Sequence, residues 1–125
     1  MDDIHFPPRE LAVMSSLWRR GAATVAEVRE DLDEELAYTS VLSALQTLEE
    51  KGYVSHEAAG RAYRYFPLVE AARAGDSALQ RIRDAIYHGS TEAMFAQMVS
   101  DRGVKREELE RMRALLSERL GGKDD

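Results

Sequence analysis

Ala37-Tyr-Thr-Ser-Val-Leu-Ser-Ala-Leu-Gln-Thr-Leu-Glu-Glu-Lys-Gly52 decides how the chain is read. Its apolar residues recur every three or four positions, which predicts a helix from about Tyr38 to Lys51 with Gly52 as its stop. On a wheel of about 100° per residue, Leu45 and Leu48 fall within about 40° of Val41, and Ala44 and Leu42 flank them. These residues face a core. Thr39, Ser43 and Gln46 lie near the opposite direction, with Ser40 and Thr47 on the shoulder. A merely solvated face normally carries Lys and Glu, whereas Ser and Thr cost a few tenths of a kcal/mol each in such positions. This outward face is uncharged and rich in short hydrogen-bonding groups.

Upstream, Pro8 sits where a helix begins, since its ring presets the helical φ and its missing N–H is no loss there. Leu11, Met14, Leu17 and Trp18 then mark one face, and Gly21 follows Arg20 as a stop. Thr24-Val-Ala-Glu27 reads as a capping box opening a second helix, with Val25, Val28 and Leu32 inward. Downstream, Tyr53–Glu57 and Arg61–Phe66 are β-prone segments joined by Ala58-Ala59-Gly60, and Pro67 closes the unit. On the second segment Ala62, Arg64 and Phe66 share one face, and Arg61, Tyr63 and Tyr65 the other. Three helices and a hairpin within residues 1–67 make a winged helix-turn-helix arrangement.

Residues 68–125 read as three short amphipathic helices. Leu79, Ile82 and Ile86 mark the first, with His88 in its last turn and Gly89 as its stop. Ser90 caps the second, which carries Met94, Phe95, Met98 and Val99. The third starts near Arg106, with Leu109, Met112, Leu116 and Leu120. So small a unit cannot bury all these stripes alone, so the expectation is a homodimerisation region, with packing back onto residues 1–67 as the alternative. The fold class is mostly α with a small β-hairpin, an N-terminal winged helix-turn-helix followed by a C-terminal helical region.

The 125 residues exclude a large multidomain enzyme, and 44% hydrophobic content is ordinary for a folding chain. No apolar run approaches the roughly 18–20 residues of a membrane span, and Met1–His5 lacks an export signal. A cytoplasmic protein without membrane insertion is therefore expected. The absence of cysteine removes disulfides, thiolate metal sites and cysteine redox sensing. The net charge is −6, and residues 1–67 hold seven Lys/Arg against twelve Asp/Glu, net −5. A nucleic-acid partner must therefore be held by a few well-placed side chains, because no broad positive field exists to do it.

The stretch 37–52, followed by Gly60-Arg-Ala-Tyr-Arg-Tyr-Phe-Pro-Leu68, closely resembles the penicillinase-repressor family of winged-helix transcription factors. Pro8–Met14, Tyr87-His-Gly89 and Glu107–Arg113 extend the likeness over nearly the whole chain. The resemblance implies a homodimeric repressor on an inverted-repeat operator with TACA and TGTA half-sites, controlling a β-lactam-response or related operon. It also implies release when a membrane sensor protein triggers the repressor's proteolysis.

The candidate DNA-binding residues are Thr39, Ser40, Ser43, Gln46 and Thr47, whose hydroxyl and amide groups suit base edges and phosphates, and Arg61 and Arg64 of the wing, whose guanidinium forks suit phosphate oxygens. Arg61, nearest the tip, is favoured, since alternation puts the two arginines on opposite faces. Tyr63 and Tyr65 read first as packing. The resemblance carries base reading onto Ser43. It places Thr47 where the family often has an arginine, a loss of about 1–3 kcal/mol of bidentate contact. It aligns the family's scissile Asn-Phe pair with Gln97-Met98, neither of which matches, so the two read first as surface and core of a dimer helix, with cleavage there as the alternative. Lys105 and Pro7 replace usual capping residues, at about 1 kcal/mol each. One copper-responsive branch of the family carries a C-terminal cysteine cluster that this chain lacks.

No metal and no cofactor are expected. The acidic run Glu27, Glu30, Asp31, Asp33, Glu34, Glu35 lacks EF-hand spacing, and His5, His56 and His88 are scattered. No nucleophile elbow or phosphate loop is present, so an enzyme is not expected. The rival reading, which the acidic N-terminal unit favours, is a winged-helix adaptor that binds proteins and not DNA.

Overall fold

The computed structural model describes residues 4–32 and 35–121. Two compact units follow one another, the first ending at Leu79 and the second beginning at Gln80.

In the first unit, α1 (Pro8–Arg20), β1 (Ala23–Thr24), α2 (Val25–Asp31) and α3 (Tyr38–Glu50) lead into the hairpin of β2 (Val54–Ala59) and β3 (Ala62–Pro67). α1 opens on its proline and ends at Gly21 with φ +83. α2 opens on the expected capping box, in which the Glu27 amide donates to Thr24 Oγ1 at 3.2 Å and the Thr24 amide donates to Glu27 Oε1 at 2.9 Å. Leu17 of α1, Val28 of α2 and Val41, Leu45 and Leu48 of α3 are fully buried in one core, with Val54 and Tyr65 of the hairpin closing it. Trp18 Nε1 donates to the Val69 carbonyl at 2.8 Å, and Val69 and Ala74 belong to the same core.

Four details differ from the sequence expectation. The sheet has three antiparallel strands in the order β1-β3-β2, because Ala23 and Thr24 pair with Tyr65 and Arg64. Two residues are too short to show an alternation, so this edge strand left no periodic signal. The hairpin turn is Gly60-Arg61 rather than Ala58–Gly60, with Ala59 opposite Ala62. On α1, Val13 takes the core position while Leu11 is exposed. His88 lies beyond the helix in the left-handed region at φ +52, next to Gly89 at φ +84.

α4 (Ala71–Ile86) runs from the first unit into the second, which continues with α5 (Thr91–Val99) and α6 (Arg106–Arg119). The Ser90 hydroxyl caps α5 by accepting from the Ala93 amide at 3.0 Å, whereas Lys105 gives α6 no side-chain cap. Neither α5 nor α6 buries any residue, and Ile82, Ile86, Leu115, Leu116 and Leu120 are all exposed. This unit has amphipathic helices without a core of its own.

Candidate nucleic-acid interface

The buried stripe of α3 fixes which side chains look outward. With Val41, Ala44, Leu45 and Leu48 in the core, Thr39, Ser43 and Gln46 are exposed, and Ser40 and Thr47 are half-buried beside them. None of these five side chains makes a hydrogen bond among the described residues, so their donors and acceptors are available to a ligand. Ala37 stands at the N-cap with φ −68 and ψ 150 and supplies no side-chain acceptor to the first amides of α3. A helix start without a cap has amides that a phosphate oxygen can satisfy.

The wing stands beside this helix. β1 pairs with β3 only at Tyr65 and Arg64, and beyond them the hairpin continues as a two-stranded ribbon to its turn. Gly60 has φ +66 and Arg61 does not have a positive φ, the combination a type II′ turn uses, which explains a glycine at the first turn position. Arg61 is exposed at the tip.

The two wing arginines are in different situations. Arg64 Nη1 lies 3.5 Å from Glu27 Oε1 and is partly buried against the capping box of α2. Lys51 pairs with Glu10 at 3.0 Å, Arg29 Nε donates to the Leu36 carbonyl, and Arg19 and Arg20 both reach Asp31. Arg61 alone among the cations of the first unit has neither hydrogen bond nor ion pair among the described residues. An acidic unit has thus neutralised most of its positive charge internally and left one guanidinium at the wing tip.

Two members of the acidic run, Asp31 and Glu27, are absorbed in the same way. Arg20 grips Asp31 through Nε and Nη2 at 2.7 and 2.9 Å, and the Ser16 hydroxyl donates to it at 2.6 Å. The Arg20 hydrogen bond, then that of Ser16, holds the Asp31 carboxyl well below the usual carboxylate range. Glu27 is held low by the Thr24 amide and then by the charges of Arg64 and Arg20. Asp33 and Glu34 lie outside the described residues. Among the described residues no cluster of three His, Cys, Asp or Glu could hold a metal ion, and no helix is long and apolar enough to cross a membrane.

Tyr65 is buried as expected, and burial together with the nearby Glu49 carboxylate pushes its hydroxyl up. Tyr63 is 56% exposed and its ring meets the edge of His56 at 4.7 Å. Neither the Arg64–Glu27 pair nor the contact of His56 Nδ1 with Glu49 at 2.8 Å was read from the sequence. Only the capping-box glutamate, whose Oε1 can accept from Arg64 as well as from the Thr24 amide, hinted at the first.

Gln97 and Met98 both lie inside α5, where the Tyr87 hydroxyl donates to Gln97 Oε1 at 2.7 Å.

Residues 7–118 match the family model described as penicillinase repressor. The chain belongs to the penicillinase repressor family. It is therefore a winged-helix, DNA-binding repressor of transcription, and the family is one of regulators rather than enzymes. Among solved structures, a penicillinase-repressor chain of this kind is similar to the YusO protein from Bacillus subtilis, with 18% identity, 93% of this chain and 75% of that chain covered, and a TM-score of 0.53. It is equally similar to a MarR family protein from Bacillus stearothermophilus, with 18% identity, 87% and 77% covered, and a TM-score of 0.53. These likenesses concern the fold alone. A structure described as the CopR repressor shares 29% identity over 56% of this chain and 97% of that one, at a TM-score of 0.44. A comparison with curated proteins finds no match.

Proposed function

We propose that the protein is a homodimeric repressor that lays α3 of each protomer into the major groove of a pseudo-palindromic operator and sets Arg61 of each wing on the phosphate backbone. The observation that carries this reading is the outward face of α3, uncharged and with side-chain groups that make no hydrogen bond among the described residues, standing next to Arg61, which has no hydrogen bond or ion pair among them either. Ser43 and Gln46 read base edges, Thr39, Ser40 and Thr47 meet bases or phosphates at the rim, and a phosphate serves the uncapped start of α3. Arg64 contributes by holding the wing to α2, and reaches DNA only by leaving Glu27. Dimerisation is supported by the exposed apolar side chains of the second unit, which a second copy would cover.

Selection from a random-sequence duplex pool tests this directly. The wild-type protein is expected to enrich two half-sites one or two helical turns apart, about 10 or 21 bp. With three to four phosphates neutralised per protomer, the log-log salt slope should be about −5 to −7. Arg61→Ala and Ser43→Ala should weaken binding in a folded dimer. A pool that never enriches, with a partner protein still captured, would sink this reading and leave the adaptor in its place. Control of a β-lactam-response operon is the output the family implies, and footprinting upstream of the neighbouring operon would test it.

Release by a membrane sensor through cleavage at Gln97-Met98 belongs to the same proposal. Both residues are helical, so cleavage requires the end of α5 to open first.

A further inference from the structure

The wing carries a brace against α3. His56 of β2 and Glu49 of the last turn of α3 meet through Nδ1, 2.8 Å from Oε1 and 2.9 Å from Oε2. The imidazole also meets Tyr63 edge-on at 4.7 Å and Tyr65 at a tilt with centroids 5.2 Å apart. Tyr65 is buried in the core, and His56 is its direct cross-strand partner. His56 therefore joins three elements: the core through Tyr65, the recognition helix through Glu49, and the distal ribbon through Tyr63.

The ribbon needs such a joint. β1 stops supporting β3 at Arg64, so apart from the contact of Tyr63 with His56 the stretch from Gly60 to Tyr63 is held by strand pairing with Ala58 and Ala59. A two-stranded ribbon is marginal by itself, so where its tip points depends on what braces its base. The Glu49–His56 contact is the only side-chain hydrogen bond between the hairpin and α3 among the described residues.

We infer that the Glu49–His56 pair is a latch that fixes the angle between wing and recognition helix, so that Arg61 reaches the backbone while α3 occupies the groove. His56 is a positioning residue that does not itself touch DNA. This inference rests on the DNA-binding reading. As a half-exposed pair it contributes little to stability, and its effect lies in geometry.

The test uses the duplex selected by the wild-type protein and four variants, Arg61→Ala, His56→Ala, His56→Asn and the double alanine variant, each checked for fold by circular dichroism and for dimer by sedimentation. Arg61→Ala is expected to lower affinity and make the salt slope shallower by about 1 per protomer. His56→Ala is expected to do the same in part, by about threefold to tenfold in affinity. The loss should be absent once Arg61 is already alanine, because the latch acts through Arg61. His56→Asn, whose side-chain amide nitrogen falls near the place of Nδ1, should restore most of the affinity. Additive losses in the double variant, full affinity in His56→Ala, or failure of His56→Asn to rescue would each overturn the latch while leaving Arg61 as a DNA contact. If the wild-type protein selects no duplex, the DNA reading fails and the latch falls with it; if Arg61→Ala binds as the wild type does, the Arg61 contact and the latch fail while DNA binding stands.

Discussion

The Ser16 hydroxyl donates to Asp31 Oδ2 at 2.6 Å, so the one fully buried polar side chain among the described residues ties α1 to the end of α2. Asp31 also receives both hydrogen bonds of the Arg20 fork. Ser16→Ala removes one of three donors to an ionised acceptor, and should cost about 1–2 kcal/mol in denaturant unfolding. DNA affinity at low temperature should not change, since α3 and the wing stand apart from this contact.

Acid should unfold the protein through Asp31 and Glu27. Both carboxyls are held below their usual range in the folded state, so the folded protein binds fewer protons than the unfolded chain. Their contribution is complete above the unfolded carboxylate range and is lost as pH falls below about 4. Stability measured by urea unfolding from pH 7 to pH 3 should fall on the acid side. Asp31→Asn should flatten that fall and lower the plateau at neutral pH. An unchanged acid limb in the variant would show that other carboxylates control it.

Arg61 and Arg64 should separate cleanly. Arg61 has no partner among the described residues and should be dispensable for stability but not for binding to the selected duplex. Arg64 lies 3.5 Å from Glu27 and braces the base of the wing, so Arg64→Ala should lower the midpoint of thermal unfolding while making the salt slope of binding less shallow than Arg61→Ala does. Equal slopes in the two variants would mean that both arginines touch phosphate.

Ala37→Asp should gain stability and lose DNA binding. The backbone at Ala37 is already extended, as an N-cap requires, so a carboxylate there can accept from the first amides of α3 at a gain of about 1 kcal/mol. The same carboxylate would stand where the proposed DNA phosphate would serve those amides. Thermal unfolding and duplex binding in one preparation should therefore move in opposite directions, and a rise in both would remove the helix start from the interface.

A charge on the exposed apolar side of the second unit should dissociate the dimer. Leu116→Glu on α6 faces solvent in one protomer and would bury like charges between two. Sedimentation at micromolar concentration should report monomer with unchanged helix content, and the selected duplex should bind much more weakly. A dimer that survives both Leu116→Glu and Ile82→Glu would place the contact elsewhere.

The sequence alone determined the elements whose signals are local. Pro8 and Gly21 bounded α1, the Thr24–Glu27 box opened α2, and the spacing of Val41, Leu45 and Leu48 both made α3 and told which residues face out. Each signal is read within about two helical turns, because capping and amphipathic spacing act over that distance. The hairpin was legible from its β-prone runs, although its turn lay one residue further along than Ala58–Gly60, since only pairing across the strands fixes the register. The tertiary structure decided the rest: that Ala23 and Thr24 form a third strand, that Arg64 meets Glu27 while Arg61 meets no charged partner among the described residues, and that His56 meets Glu49. Charges of either sign look alike along a chain. Which of them cancel depends on distances that exist only once the core has folded and brought residues 37 positions apart, such as Glu27 and Arg64, within reach of each other.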